Sequence, residues 1–248
     1  MTDDPVYDRI AKEYQASKQL PFRLYIEDHT LFKLLGDLQG KRVLDLACGE
    51  GIYSRKMKRH GAATTLGVDI SPRMVGLAVS QEGEQPIGCE YVVSDVTTLG
   101  KLGEFDVVVG VYLLNYAKTA DELARFCEAI SRNLRSGGYF VGLNDNPANP
   151  IEKYGTYTKY GFWKTTLSLR TEGTPITYHV KNLDGTEFRF DNYYLAPATY
   201  EAVFRQAGFA DFSWCGPWLA QEGKQSFEEG YWDLFLNHPP MIGMLAHK

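Results

Sequence analysis

The stretch Arg42-Val43-Leu44-Asp45-Leu46-Ala47-Cys48-Gly49-Glu50-Gly51 passes directly from an unbroken apolar, β-favouring run into a glycine-rich turn. A run without alternation predicts a strand buried on both faces over 42–48. Two glycines just past its carboxyl end let the backbone come close to a ligand. The following IYSRKMKRHGA predicts a helix closing at Gly61, where glycine takes a left-handed cap, and TTLGVDI (64–70) predicts a second strand. The alternation continues with a helix near 72–81, strands over 89–95 and 105–112, a helix over 119–135 ended by Gly137 and Gly138, and a fifth strand over 139–145. Strands separated by helices imply right-handed crossovers, hence an α/β, doubly wound parallel sheet.

Outward from this core, 6–17 and 22–36 carry apolar residues at three- and four-residue spacing and predict two helices. Past 145 the chain turns aromatic and Thr-rich around Leu183-Asp184-Gly185, a strong hairpin signal. The segment 146–196 is therefore expected to cap the carboxyl edge of the sheet. A helix over 197–207 ending at Gly208, a strand over 209–216, a helix near 226–237 and a closing strand over 241–247 complete the expectation. The whole reads as one unit, 1–248: a helical lid (1–36), a core (37–145), a β-hairpin cap insertion (146–196) and the rest of the sheet (197–248).

With 248 residues, 44% hydrophobic and 23% charged, the chain has a globular composition. Lys and Arg number 26 against 31 Asp and Glu, and no basic run forms a stripe, so a nucleic-acid partner is not expected. No apolar stretch nears the roughly 20 residues that span a bilayer, and the polar start MTDDPVYDRI is no targeting segment, so the expectation is a cytoplasmic protein without a membrane partner. Cys48, Cys89, Cys127 and Cys215 are far apart and read as reduced thiols. No HxH or carboxylate cluster points to a metal. A monomer or homodimer is expected.

The turn itself narrows the ligand. Asp69 ends the second strand, where a carboxylate can accept both hydroxyls of a ribose, and Asp95 ends the third, where it can accept from an adenine amino group. A nicotinamide dinucleotide requires G-x-G-x-x-G, but Ser54 stands at the third glycine position and the charge of Glu50 would repel a pyrophosphate.

VLDLACGEG (43–51) resembles the first motif of class I S-adenosylmethionine (SAM)-dependent methyltransferases, and GVDIS (67–71) the second. VSDV (93–96), FDVVVGVYLLNY (105–116) and LRSGGYF (134–140) resemble the later motifs, in order, over about 43–145. GYWDLFLNHPP (230–240) is similar to the C-terminal part of bacterial natural-product methyltransferases such as the toxoflavin-type N-methyltransferases. The resemblance implies a Rossmann-like sheet and SAM as cofactor. Asp45 and Gly49 to Gly51 would lie along its methionine part, Asp69 would hold the ribose, Ile70 and Met74 would sandwich the adenine, and Asp95 and Val96 would stand at its edge. Ala47 and Ser94 join them as cofactor-binding residues, and Val111 and Tyr112 would pass beneath the methionine. Arg23 is a candidate partner for the SAM carboxylate and Tyr14 a candidate cover.

The acceptor should sit beyond strands four and five, beside Asn115, Tyr116, Asn144 and Asp145. Candidate catalytic residues are Tyr116, Asn144, Asp145 and His238; candidate substrate contacts are Tyr7, Asn115, Tyr116, Tyr193 and Trp232. Tyr7 and Tyr14, seven apart, share a helix face. The cap aromatics either line a cavity for a flat acceptor or pin the cap to the body, and of the five histidines only His179 and His238 belong to segments that reach the pocket. Methyl transfer discharges a sulfonium in line, so positioning and a water-poor pocket can supply much of the rate. The expected function is methylation of a nitrogen or oxygen on a small molecule, a natural product or secondary metabolite. A catalytically silent SAM-binding accessory protein and an RNA or protein methyltransferase are the alternatives, since one core serves all acceptors.

Overall fold

The computed structural model describes residues 6–167 and 169–248, leaving aside the side chains of 6–9. Helix α1 (Val6–Ser17) leads to a π turn (Arg23–Glu27) that runs into α2 (Asp28–Leu35). The core alternates β1 (Arg42–Leu46), α3 (Ile52–Arg59), β2 (Thr64–Asp69), α4 (Pro72–Glu84), β3 (Cys89–Val93), β4 (Phe105–Val111), α5 (Ala120–Asn133) and β5 (Leu134–Asp145). A 3-10 segment (Ile151–Tyr160) opens the cap, whose strands are β6 (Phe162–Thr166), β7 (Pro175–Lys181) and β8 (Glu187–Tyr193). α6 (Pro197–Gln206), β9 (Ser213–Cys215), α7 (Gln221–Gln225), α8 (Asp233–Asn237) and β10 (Met241–His247) close the chain.

The main sheet runs β3-β2-β1-β4-β5-β10-β9. Its first five strands are parallel, and β10 is antiparallel to both neighbours. The order reverses between β1 and β4, and in a doubly wound sheet the crevice beyond the strand ends at that point is where ligands bind. Period-two alternation splits β1 between two cores. Leu44 and Leu46 pack with Phe140, Ile130 and Phe204 on one face, and Val43 with Val107, Val109 and Leu31 on the other. Each such buried side chain contributes about 1.5–3 kcal/mol. Helix starts are chemically marked: Ser71 caps α4 by accepting the Met74 N–H (3.1 Å), with Pro72 as first residue, and Thr119 caps α5 by accepting from Glu122 (3.2 Å).

Several expected boundaries move. The helix foreseen over 22–36 begins as a π turn and ends at Gly36, whose φ is 63°. The helix foreseen over 119–135 stops at Asn133, and Gly137 and Gly138 belong to the start of β5, where the register against β4 is irregular. The strand foreseen over 209–216 shrinks to β9, an edge strand paired on one side; the helix near 226–237 shrinks to α8 after a turn with Gly230 at φ 80°, and α7 lies before the foreseen range. The cap holds the hairpin announced by Asp184-Gly185, between β7 and β8, and a third strand besides: β6-β7-β8 form a separate antiparallel sheet. Glycine is required at 185, where φ is 87°.

Candidate functional site

The chain leaves the sheet under strain at the switch point. Ala47, just past β1, has φ 58°, and Tyr112, just past β4, has φ 59°; both occupy the left-handed region that non-glycine residues avoid. Such residues cost of order 1–3 kcal/mol each and persist only when their surroundings hold them. Tyr112 is held by its N–H to the Leu143 carbonyl (2.7 Å) and by its hydroxyl to Glu27 (2.8 Å). Gly49 (φ 56°) and Gly51 (φ 79°) continue the turn with different constraints. A Cβ at Gly51 would lie 2.5 Å from the Tyr91 hydroxyl oxygen, so the second glycine admits a packed ring. A Cβ at Gly49 would meet nothing within 4 Å, and this residue faces the cleft. The opening suits close approach of a ligand.

Three carboxylates line that cleft. Asp69 accepts the Gly49 N–H with one oxygen and the Ser71 N–H with the other, both at 2.8 Å, tying the end of β2 to the turn after β1. Asp45 is buried and accepts the Ser54 hydroxyl at 2.5 Å. Ser54, which replaces the third dinucleotide glycine, thus serves the carboxylate instead. Burial pushes the Asp45 carboxyl up to about 7; the Ser54 hydrogen bond opposes this and the Asp69 charge adds to it. Glu50 is buried too, its carboxyl raised by burial, with one oxygen taken by Gln15 and Gln81 and the other without a partner among the described residues. The cation beside them is Lys18, which lowers both acids' values and lines the same cleft.

Glu27 ties this cleft to a second space. It is buried and accepts from Arg23 (2.9 and 3.2 Å), Tyr53 (2.5 Å) and Tyr112 (2.8 Å), with Lys18 at 3.7 Å. Burial raises its carboxyl, but Arg23, Lys18 and the two phenols outweigh it and hold the group at about 2. The second space is an aromatic chamber walled by Phe22, Phe162, Tyr178, Phe190 and Phe235, with Arg23 and Asn192 as polar points. Tyr14 and Tyr112 line both spaces.

Among the expected cofactor residues, Tyr14, Asp45, Ala47, Gly49, Asp69, Met74, Val111 and Tyr112 line the cleft. Gly51 caps α3 at its edge. Ile70 stands exposed past β2, and Ser94 donates its N–H to the Asp69 carbonyl (2.9 Å). Asp95 lies past β3 and uses one oxygen to cap the next turn at Thr97, while the Val96 side chain packs in the core. Arg23 borders the aromatic chamber rather than the glycine turn, where Lys18 stands.

On the acceptor side, Tyr116 lines the cleft, and Asn115 is fully buried with neither amide atom paired among the described residues. Asn144 donates to the Tyr200 hydroxyl (3.0 Å). Asp145 accepts from Lys164 (2.8 Å) and from the Tyr178 hydroxyl, joining β5 to the cap. Burial lowers the Lys164 ammonium, against the pull of Asp145, and raises the Tyr178 phenol, with Asp145 raising it further. His238 lends its backbone carbonyl to Tyr157 (2.5 Å) and Asn149 (3.1 Å) and does not line the chamber. Trp232 is buried in an aromatic cluster and donates to the Gly223 carbonyl (2.9 Å). His179 stacks on Trp163 at 5.0 Å, and Tyr193 lies under the Lys118 ammonium, away from the chamber. The side chain of Tyr7 lies outside the described residues. Of the cap aromatics, Phe162 lines the chamber, whereas Tyr154, Tyr157 and Tyr160 are buried and pin the cap.

Lys18, Glu27, Tyr178 and Asn192 were not foreseen. Two signals were present: Arg23 and Glu27 are four apart, the spacing of a helical ion pair, and strand alternation in EFRFDNY sets Phe190 and Asn192 on one face and Tyr193 on the other.

Residues 43–138 match the family model of the methyltransferase domain. The ubiquinone biosynthesis O-methyltransferase of Bordetella avium (strain 197N) is 34% identical over 119 residues, 46% of this chain and 48% of that protein. The chain thus spans about half the length of the curated relatives it matches. Among solved structures, the SAM-dependent methyltransferase from Mesorhizobium loti superposes with a TM-score of 0.62 at 19% identity, covering 94% of this chain and 100% of that one. One from Clostridium acetobutylicum ATCC 824 superposes at 0.63 with 17% identity, covering 98% and 99%. The fold is that of the class I methyltransferases.

Proposed function

We propose, from a chain of class I methyltransferase fold that carries the methyltransferase domain over 43–138, that the protein transfers the methyl group of SAM to a nitrogen or oxygen of a small molecule. One observation carries the reading: the acidic cleft at the switch point and the aromatic chamber share the walls Tyr14 and Tyr112, so ligands of the two would meet there.

The residues fit SAM, which supplies a methyl group activated by sulfonium charge. Asp69 faces the cleft as the ribose partner, with Met74 and the exposed Ile70 on the adenine side. Asp45 and Glu50, both raised by burial and short of cations, suit a positively charged ligand, and Lys18 is the partner for its carboxylate. Gly49 leaves room for the approach. The protein's own contribution is then orientation and exclusion of water. Well-oriented reactants gain on the order of 7–11 kcal/mol in the best intramolecular models, and the cap supplies much of the chamber's aromatic wall.

This walled chamber favours a flat small molecule, a natural product or secondary metabolite, over an RNA or protein chain. The curated relatives named as O-methyltransferases favour oxygen as the methylated atom. A cytoplasmic setting suits four cysteines that form no disulfide. The test is calorimetric titration with SAM and S-adenosylhomocysteine, followed by incubation of a cell extract with methyl-labelled SAM. Binding together with label in the small-molecule fraction is the expected result. No binding at millimolar ligand overturns the reading, binding without any transfer leaves a silent accessory protein, and label in RNA or protein moves the acceptor class.

A further inference from the structure

Two polar atoms in the aromatic chamber have no hydrogen-bond partner among the described residues: Nε of Arg23 and Oδ1 of Asn192. Both side chains line the chamber, and the residues are 5% and 2% exposed. Buried polar groups in native structures are almost always paired, and each exception calls for a reason. Arg23 commits Nη1 to both oxygens of Glu27, but a guanidinium has five donors, and the Nε–H is left over. At the other polar point, an amide oxygen only accepts, so Asn192 asks for an N–H or O–H. The remaining walls are aromatic and apolar, including Phe162 and Phe235.

Resting on the small-molecule reading above, we propose that Arg23 and Asn192 determine acceptor specificity: the acceptor is a planar ring that presents an oxyanion or carbonyl oxygen to the Arg23 Nε–H and a hydrogen-bond donor to Asn192 Oδ1. Arg23 acts there by binding, leaving Lys18 to the cofactor's carboxylate. Each group rejects a ligand that leaves it unpaired, the form of discrimination that polar sites perform best.

The experiment uses the full chain saturated with S-adenosylhomocysteine and three planar probes, 4-nitrophenolate, 4-nitroaniline and nitrobenzene, at alkaline pH. In the unaltered protein the first two bind at least tenfold more tightly than nitrobenzene, the loss expected when a buried charged or polar group goes unpaired. Arg23→Met, which leaves Glu27 and its bond to Tyr112 in place, removes the phenolate preference and leaves nitroaniline binding in place. Asn192→Leu does the reverse. This crossed pattern would not arise from a general loosening of the cap. Equal affinity for all three probes in the unaltered protein overturns the proposal, even if the Arg23 variant fails to fold, and so does an Asn192→Leu protein that keeps its nitroaniline preference. If S-adenosylhomocysteine itself does not bind, the methyltransferase reading falls first; if it binds and the probes are not distinguished, only the acceptor assignment falls.

Discussion

Cofactor affinity should rise with pH through neutrality, and Asp45 is the reason. Its carboxyl sits at about 7 in the ligand-free protein because burial disfavours the charge. A cation bound about 5 Å away at an effective dielectric near 20 interacts by about 3 kcal/mol, equivalent to about two pKa units. The bound cation favours the ionised carboxyl, so below about 7 binding SAM must expel a proton, and above about 7 it need not. Affinity therefore climbs with pH, by up to about a hundredfold and by at least about tenfold after allowance for screening. The ligand-free protein shows the opposite trend. A carboxyl raised above its unfolded value contributes stability that is present below that unfolded value and lost as pH rises through about 7. The assay is titration calorimetry with SAM from pH 5 to 8.5 in buffers of different ionisation enthalpy, which reads proton release directly. Asp45→Asn should flatten the profile, and S-adenosylhomocysteine, without the sulfonium charge, should show a shallower one than SAM. A flat profile in the unaltered protein, or the same slope in Asp45→Asn, refutes the reasoning.

Glu27→Gln leaves Arg23 and Lys18 buried without their carboxylate and should cost about 3 kcal/mol, a fall in Tm of about 6–12 °C for a chain of 248 residues by thermal circular dichroism. Adding Arg23→Met should recover part of the loss. With its carboxyl held at about 2, Glu27 stabilises at every pH above the ordinary carboxylate range, and that contribution is lost only as pH falls through about 2. Gly51→Ala should destabilise by about 2–3 kcal/mol in denaturant unfolding, because a φ of 79° and a Cβ 2.5 Å from the Tyr91 hydroxyl oxygen both oppose it. Gly49→Ala, strained by φ 56° but unobstructed, should cost about 1 kcal/mol in the same assay yet weaken SAM binding at least tenfold, since its methyl enters the cleft. Asp69→Asn should weaken SAM binding more than it lowers Tm, whereas Asp69→Ala should lower both, because the side chain also accepts the Gly49 and Ser71 N–H groups.

The core was legible because its signals are local. A both-faces-buried strand, a glycine turn and a strand-ending acid each act within a few residues of themselves, and Asp45, Gly49, Asp69 and Met74 meet in one cleft as their positions required. The cap was legible as a hairpin but not as a sheet, since the link between β6 and β7, though it holds Gly173 and runs to Pro175, is longer than a tight turn and sets no register. His238 illustrates the limit on side-chain roles. Its sequence neighbourhood drew attention to an imidazole, but the fold uses the carbonyl, which gathers Tyr157 and Asn149. Tyr193 failed by one position of the pleat, as Asn192 turns inward and Tyr193 outward.

The acceptor site was least legible because its polar groups are paired across long stretches of chain. Tyr112 reaches Glu27 over 85 residues and Tyr178 reaches Asp145 over 33, and neither link leaves a periodicity to read. The strain at Tyr112 gives these links their meaning. A bulky residue in the left-handed region stays there only if something holds it, and what holds its ring is the hydroxyl bond to Glu27 on the π turn of the lid. Lid, strand end and cleft wall are thus one mechanical unit. If the lid loosens, the anchor that keeps Tyr112 between cleft and chamber goes with it. Glu27, which lines neither space, therefore acts on both through Tyr112, and its removal should disturb acceptor and cofactor binding together.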